Sequence, residues 1–548
     1  MLVRMPRFLQ PIRLEIYRNL FFSIAKEMGG NLKRTAYSPN IKERRDYSCA
    51  VFDHQGEVVA MGDHMPVHLG SMPLSVQSAI SSFPMCPGDI VFLNDPYSGG
   101  THLPDITLVA PVYVSSKDSR PSAYVACRAH HSDVGGLSAG SMPLSSDIFQ
   151  EGIRIPPLKL YEGGNLNRSL LRLLLHNVRT PTENEGDLAA QVGSLRIGEK
   201  RLYKLLKSNG GPEVGDYMKG LHDYGARIME KIISEIPDGE YSAQDLLDGR
   251  VVGLGRGPKQ PIKIRVKLSV RGTQMEVDFT GTELQVRGCL NAVEAVTFSA
   301  VYYVLRCLAP KDAPTSAGII RPVRIIAPLG TVVNAIHPAA TAGGNVETSQ
   351  RIVDVLLRAL SSALPDRIPA DSSGTMNNLS LGGRQPLTGQ PFAYYETIGG
   401  GMGASPSSDG DNGIHTHMTN SMNTPVEAFE RNYPVRIREY RLRRNSGGSG
   451  KFSGGQGIIR TLEMLEGCQV TMLSDRRQYS PLGLRGGGAG KRGENFMITK
   501  GRYRKLPGEF SLFFQKGTLL CVKTPGGGGW GRSRSSSNRN REKSSQYR

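Results

Sequence analysis

Three short segments of this sequence concentrate side chains that could bind a metal ion or move a proton. Arg45-Asp-Tyr-Ser48 supplies Asp46; Asn94-Asp-Pro-Tyr-Ser-Gly-Gly-Thr-His-Leu-Pro-Asp105 supplies Asp95, His102 and Asp105; Ala129-His-His-Ser-Asp-Val-Gly-Gly136 supplies His130, His131 and Asp133. Carboxylate oxygens mixed with imidazole nitrogens suit zinc, manganese or iron(II). Glycines beside such ligands let the backbone bend and leave a coordination position open, where an ion can bind water and lower its pKa. The same residue types also do structural work: aspartates in Asn-Asp-Pro and Ser-Asp turns cap nearby backbone donors. It is the recurrence of the set on three segments that favours a metal site. The spacing matches neither a zinc finger nor a His-Glu-x-x-His pattern.

A second polar cluster lies at Gly413-Ile-His-Thr-His-Met-Thr-Asn420. In an extended segment His415 and His417 point to the same side, where they could hold a metal or a substrate carboxylate. Gly399-Gly-Gly-Met-Gly403 and Arg441-Leu-Arg-Arg444 flank it in sequence. Those glycines could offer backbone N–H groups to an anion, and Arg443 and Arg444 could grip a carboxylate or phosphate.

The elements that must position these residues are legible in outline. Ile12, Ile16, Leu20 and Ile24 recur every fourth residue and predict a helix near 11–30. Short strands are expected at Ser48–Phe52, Glu57–Ala60, Val91–Leu93, Thr107–Val114 and Ala123–Cys127, with turn-rich polar loops between them. Scaffolds commonly place chemistry on such strand-end loops. Residues 187–207 and 214–236 read as amphipathic helices, 262–280 as a half-buried strand pair, and 292–308 and 350–364 as buried helices. The expected fold class is α+β, with mixed sheets and helices and the metal site on strand-end loops. Three regions are expected: 1–250 with the metal-ligand motifs, 251–530 with the Gly-rich and His-Thr-His motifs, and a disordered basic tail at 531–548.

Composition narrows the function classes. The 548 residues include 65 glycines, well above ordinary usage. They cluster in short motifs, which implies tight turns and close backbone approaches. The net charge is +18, and the segment from Arg532 onward carries six Lys/Arg against one Glu. No nucleic-acid motif with interleaved aromatics accompanies that charge, so it reads as a soluble surface plus a basic tail. Seven cysteines are scattered without a Cys-x-x-Cys pair, which argues for a reducing compartment and a cytoplasmic location. No apolar run reaches a membrane span. There is no P-loop, no Gly-x-Ser-x-Gly elbow and no dinucleotide fingerprint; Gly253-Leu-Gly-Arg-Gly has its third glycine misplaced.

At these same residues the sequence resembles the hydantoinase B/5-oxoprolinase family. The match includes Asn40–Ala50, Asn94–Asp105, His130–Gly136, Gly140-Ser-Met-Pro143, Glu151-Gly152, Gly186–Gln191, Gly343-Gly-Asn345 and Tyr395-Glu-Thr397. It continues through His415–Asn420, Arg443–Gly448 and Thr524–Gly529, so it spans roughly residues 10–530 in the family's order. The resemblance implies the hydrolytic subunit of an ATP-dependent cyclic-amide hydrolase, with a link to glutathione metabolism. A separate hydantoinase A-type partner would use ATP to phosphorylate the amide oxygen of 5-oxoproline or a hydantoin. This chain would then open the ring with a metal-activated water, and would bind no ATP itself. The implied metal ligands are Asp46, His102 and Asp133, with Asp95 a further candidate. His130, His131 and Asp105 are implied as proton-handling residues or alternative ligands; His415, His417, Arg443 and Arg444 stay the substrate contacts that the second polar cluster suggests. A hetero-oligomer is expected, with no membrane or nucleic-acid partner. Related complexes carboxylate acetone or acetophenone, so a ketone carboxylase subunit is the alternative; an inactive scaffold or nucleic-acid-binding protein is a third.

Overall fold

The structure is a computed structural model that describes residues 9–62, 64–115, 118–251 and 259–533. Most of the expected tail, from 534 on, lies outside the described residues. The chain opens with helix α1 (Pro11–Thr35) and a single turn, α2 (Pro39–Lys42). Seven strands then form one antiparallel sheet: β1 (Tyr47–Asp53), β2 (Val58–Met61), β3 (Ile90–Leu93), β4 (Asp105–Val112), β5 (Ala123–His130), β6 (Leu158–Glu162) and β7 (Asn165–Leu166). Their order is β2-β1-β5-β4-β3-β6-β7.

Both faces of this sheet are buried, because residues of alternate parity meet different helices. Ala50, Phe52, Val109 and Ala126 face α3 (His68–Ser82), which supplies Met72, Val76 and Ala79. Cys49, Val51, Leu108 and Cys127 face the opposite core. That core is completed by α1 and by α5 (Pro181–Asn209), which follows α4 (Arg168–Leu175). The periodicity of α1 misleads in one respect: Ile12, Ile16 and Leu20 are exposed, while Tyr17, Phe21, Ile24 and Met28 carry the buried face. The i, i+4 stripe drifts around the helix, and only its C-terminal end reaches the sheet.

After α6 (Gly211–Ser234), strands β8 (Gly239–Val251), β9 (Lys259–Arg271), β10 (Gln274–Asp278) and β11 (Val323–Ile326) build a second sheet. It packs with α7 (Glu294–Leu308) and α8 (Ser349–Ala363). The expected division near 250 falls at the end of β8. A π-turn, Gly344–Thr348, leads directly into α8. The remaining strands are β12 (Asn378–Arg384), β13 (Pro391–Glu396), β14 (Val435–Arg443), β15 (Gly457–Met464), β16 (Cys468–Leu473), β17 (Glu494–Thr499), β18 (Arg502–Leu506), β19 (Glu509–Phe514) and β20 (Leu519–Lys523). They form two sheets around a third core, with α9 (Val426–Asn432) alongside.

The glycine excess is explained beside these sheets. Successive N–H groups of Gly526, Gly527, Gly528 and Gly529 donate to Lys491, Gly455, Asp371 and Gly488 carbonyls. The first and fourth therefore reach the same neighbouring segment, the three-residue period of an extended polyproline-II-like chain. A β-strand would instead alternate between two neighbours. Neighbouring backbones approach so closely that a Cβ on Gly455 would lie 1.9 Å from the Asp411 carbonyl oxygen. Only glycine permits that approach.

Candidate active site

Strands β1, β5 and β4 end together at one edge of the first sheet. Asp105, the first residue of β4, pairs in register with His130, the last of β5. Tyr47 pairs with Ala129, so the next position, Asp46, falls opposite His130 and accepts its N–H through the backbone carbonyl. Cross-strand partners share a face. Asp46, His130 and Asp105 thus form one row on the α3 side, and all three are buried.

Asp105 is the hub. Its Oδ2 accepts from Thr101 Oγ1 at 2.7 Å and lies 3.2 Å from His102 Nδ1 and 3.3 Å from His68 Nε2. Burial pushes its carboxyl up, but the two imidazoles hold it well below the usual carboxylate range. His68 begins α3; that helix start is fixed by Ser299 of α7, whose Oγ accepts the free N–H groups of Gly70 and Ser71. Ser48 Oγ, 2.8 Å from His68 Nδ1, completes the clamp.

With Nδ1 directed at Asp105, His102 turns Nε2 into the interior without a partner. His130 does the same: its Nδ1 lies 3.0 Å from the His131 carbonyl, and its Nε2 is buried and unpartnered. The two rings are 5.1 Å apart. Asp105 Oδ1 is also buried without a partner. Burial raises the Asp46 carboxyl to about 6, against the pull of Arg44, whose Nη2 is 3.6 Å from Asp46 Oδ2. An imidazole whose proton is held on one nitrogen by a carboxylate or carbonyl presents a bare lone pair on the other, the arrangement of metal-ligating histidines. Two such nitrogens beside two buried carboxylates make a donor set that fits a divalent ion of the zinc, manganese or iron class.

Distant elements complete the site with residues that local sequence patterns did not single out. Tyr395 of β13 stacks on His130 at 4.7 Å, nearly parallel, and carries the Arg44 guanidinium on its ring at 4.8 Å. Its hydroxyl donates to Asn378, whose amide donates to Glu347 of the π-turn. Burial lifts the Glu151 carboxyl to about 7; Ser145 Oγ and the Thr341 and Ala342 N–H groups hold it. No short-range spacing announces these long-range partners. Tyr395 and Glu151 do stand inside the motifs of the family resemblance.

Most of the other expected residues are engaged elsewhere. Asp95 accepts from Tyr97 N–H at 3.0 Å and caps the turn Pro96–Ser98. Asp133 accepts from Gly135 N–H and from Arg179 through both backbone and guanidinium. Both ring nitrogens of His131 are taken up, by Asn184 Oδ1 at 2.8 Å and Gln191 Oε1 at 2.9 Å on α5. His415 is half-buried with its Nε2 buried and unpartnered, and desolvation with the nearby Arg44 lowers its pKa to about 4. His417 faces Asp354 on α8. Arg443 donates to the Arg492 and Thr524 carbonyls and to Glu494, and Arg444 is exposed. The Gly400, Gly401 and Gly403 N–H groups expected to meet an anion are spent on Ile414, Pro525 and Ser372.

Two tighter groupings of acidic side chains could also be read as cation sites: Asp53–Glu57–His222 and Asp245–Asp354–Asp371. A guanidinium already sits in each, Arg321 on Glu57 and Arg476 among the Oδ2 atoms of the three aspartates. A surface cleft of 630 Å³ between α1 and α6 is lined by Leu14, Arg18 and Tyr224 and by none of the residues above.

Comparison with known proteins places the chain in a family. The family described as hydantoinase B/oxoprolinase matches residues 10–533. The chain belongs to the hydantoinase B/oxoprolinase family. Among its relatives, an uncharacterised protein of Methanocaldococcus jannaschii is 42% identical, over 94% of this chain and 90% of that protein. The 5-oxoprolinase 1 of Arabidopsis thaliana is 38% identical over 94% of this chain but only 41% of its own length. This hydantoinase B/oxoprolinase chain thus spans less than half of that relative. The crystal structure of the ATP-dependent caprolactamase from Pseudomonas jessenii shares its α+β fold, with a TM-score of 0.88 and 28% identity over 98% of this chain and 94% of that one. Among the described residues, no helix is long and apolar enough to cross a membrane.

Proposed function

We propose that this chain is the ring-opening subunit of an ATP-dependent cyclic-amide hydrolase that acts on 5-oxoproline or a hydantoin. The observation that carries the reading is the pair of buried, unpartnered Nε2 atoms of His102 and His130 beside Asp105 and Asp46. The similarity to a 5-oxoprolinase and to an ATP-dependent caprolactamase supports the substrate class, since a lactam is a cyclic amide.

An amide is a poor electrophile, and phosphorylating its oxygen creates a leaving group. That step needs ATP, for which this sequence has no P-loop. The ATP-using step is assigned to a hydantoinase A-type partner, in keeping with the greater length of the Arabidopsis relative. In this reading His102 and His130 hold a divalent ion, and Asp46 adds a carboxylate at the other end of the row. The ion supplies Lewis acidity for water activation and charge stabilisation. Asp105 keeps the His102 proton on Nδ1, so that Nε2 stays a ligand, and the Tyr395 ring fixes the plane of His130. Burial excludes bulk water and strengthens each of these interactions.

The test is ATP-dependent ring opening of 5-oxoproline and of hydantoin by the chain mixed with an A-type partner. Product that requires both chains and is lost in His102→Ala supports the proposal. Bicarbonate-dependent carboxylation of a ketone in its place would overturn it in favour of a carboxylase.

A further inference from the structure

A second buried polar assembly forms where β8, α8 and the chain leaving β16 meet. Arg476 Nη2 lies 3.0, 2.7 and 3.4 Å from Oδ2 of Asp245, Asp354 and Asp371. Arg351 bridges Asp245, Asp354 and Asp475, and Arg358 bridges Asp245 and Asp371. Four carboxylates therefore face these three guanidiniums. Arg476 already occupies the focus of the Oδ2 atoms. The other oxygen of Asp354 has a different neighbour.

Asp354 Oδ1 is 3.7 Å from His417 Nε2, a gap too long for a hydrogen bond. Both atoms are buried and neither has a partner. The His417 side chain is only 8% exposed. Gln350, one turn earlier on α8, donates its Nε2 to the Thr416 carbonyl at 3.0 Å and leaves Oε1 buried and unpartnered. His417 itself is held at φ +58°, a conformation a non-glycine residue adopts at a cost. Tyr303 Oη lies 3.4 Å from its Nδ1, and the two rings meet edge to face.

We propose that His417 Nε2, Asp354 Oδ1 and Gln350 Oε1 form a second, buried site for a divalent first-row cation, separate from the one at His102 and His130. Two ligands each ~2.1 Å from an ion are separated by this distance when the angle at the ion is roughly 120°. A buried imidazole nitrogen, carboxylate oxygen and amide oxygen match the ligand taste of manganese, iron or zinc. The ion satisfies three buried polar atoms at once and repays the strained backbone at His417. It clamps the 413–420 segment to α8. The π-turn that starts α8 carries Glu347, which reaches His130 through Asn378 and Tyr395.

The experiment uses the full chain, loaded with Mn²⁺ and desalted, with bound metal counted by elemental analysis and located by anomalous scattering. Wild type should hold two equivalents, with one anomalous peak between His417 and Asp354. His417→Gln, a conservative change checked by circular dichroism, should hold one. His102→Ala should lose the other equivalent and keep the His417 peak. Unchanged metal content in His417→Gln, or no peak beside Asp354, would overturn the second site. One equivalent in wild type, lost in His102→Ala alone, would overturn this site and leave the first standing.

Discussion

Replacing Gly527 by alanine tests how the glycine-rich segments hold the C-terminal region together. Gly527 is not among the glycines at positive φ, so backbone torsion alone would tolerate a side chain. The obstacle is distance: its Cβ would sit 2.0 Å from the Met402 carbonyl oxygen and 2.3 Å from its carbon. The segment must retreat by roughly 1 Å or more to restore ordinary contact. Gly527 N–H donates to Gly455 at 2.9 Å, Gly448 N–H to Gly527 at 2.8 Å, and Gly528 N–H to Asp371 at 2.8 Å. Such a retreat takes these bonds beyond useful length. Overpacking costs about 1–3 kcal/mol, and each buried backbone group left unpaired about 1–3 kcal/mol more. A loss of at least about 4 kcal/mol follows, read as a fall of roughly 3–4 °C or more in apparent Tm for a chain of this length. Thermal denaturation followed by circular dichroism measures it. Gly215→Ala in α6 is the control, because nothing lies within 4 Å of its Cβ position; it should stabilise by about 0.5–1 kcal/mol. A Gly527→Ala protein within about 1 kcal/mol of wild type would refute the steric argument.

Three further outcomes are expected. His131→Ala should cost about 2–3 kcal/mol of stability, through its bonds to Asn184 and Gln191, and leave metal content unchanged; metal loss in elemental analysis would return His131 to the ligand set. Arg476→Met removes the cation shared by Asp245, Asp354 and Asp371 and should cost about 3–5 kcal/mol in denaturant titration, whereas a neutral result would mean the network is dispensable. Burial, opposed by a Ser132 hydrogen bond and reinforced by Asp187 and Asp133, raises the Glu183 carboxyl from 4.5 to about 7. Its stabilising contribution is then full below pH 4.5 and is lost as pH rises through 7, a swing of about 2 kcal/mol after allowing for partial exposure. Glu183→Gln should therefore gain on wild type between pH 5 and pH 8, and parallel pH profiles would refute the assignment.

The strands and helices were legible where periodicity and turn signals agreed. The predicted strand Ala123–Cys127 is real, but it runs three residues further, to His130. That extension matters, because it brings His130 into register with Asp105. The candidate ligands were legible by type, but their division was not. Asp95 and Asp133 sit in the turn contexts that favour local capping, and both cap. His130 and His131 are adjacent and chemically identical; only the strand's alternation sends one to the site and the other to α5. His68, Arg44, Tyr395 and Glu151 reach the site through tertiary contacts that no local pattern encodes. The stripe on α1 shows the converse: a regular apolar spacing whose first three members, Ile12, Ile16 and Leu20, face solvent.

The most direct measurement of the central claim is the metal content and ATP-dependent 5-oxoproline turnover of wild type, His102→Ala, His130→Ala and Asp133→Ala, each assayed with an A-type partner. Loss of one metal equivalent and of turnover in the two histidine variants, with the metal retained in Asp133→Ala, is the predicted result. Full metal content in His102→Ala and His130→Ala would contradict the account.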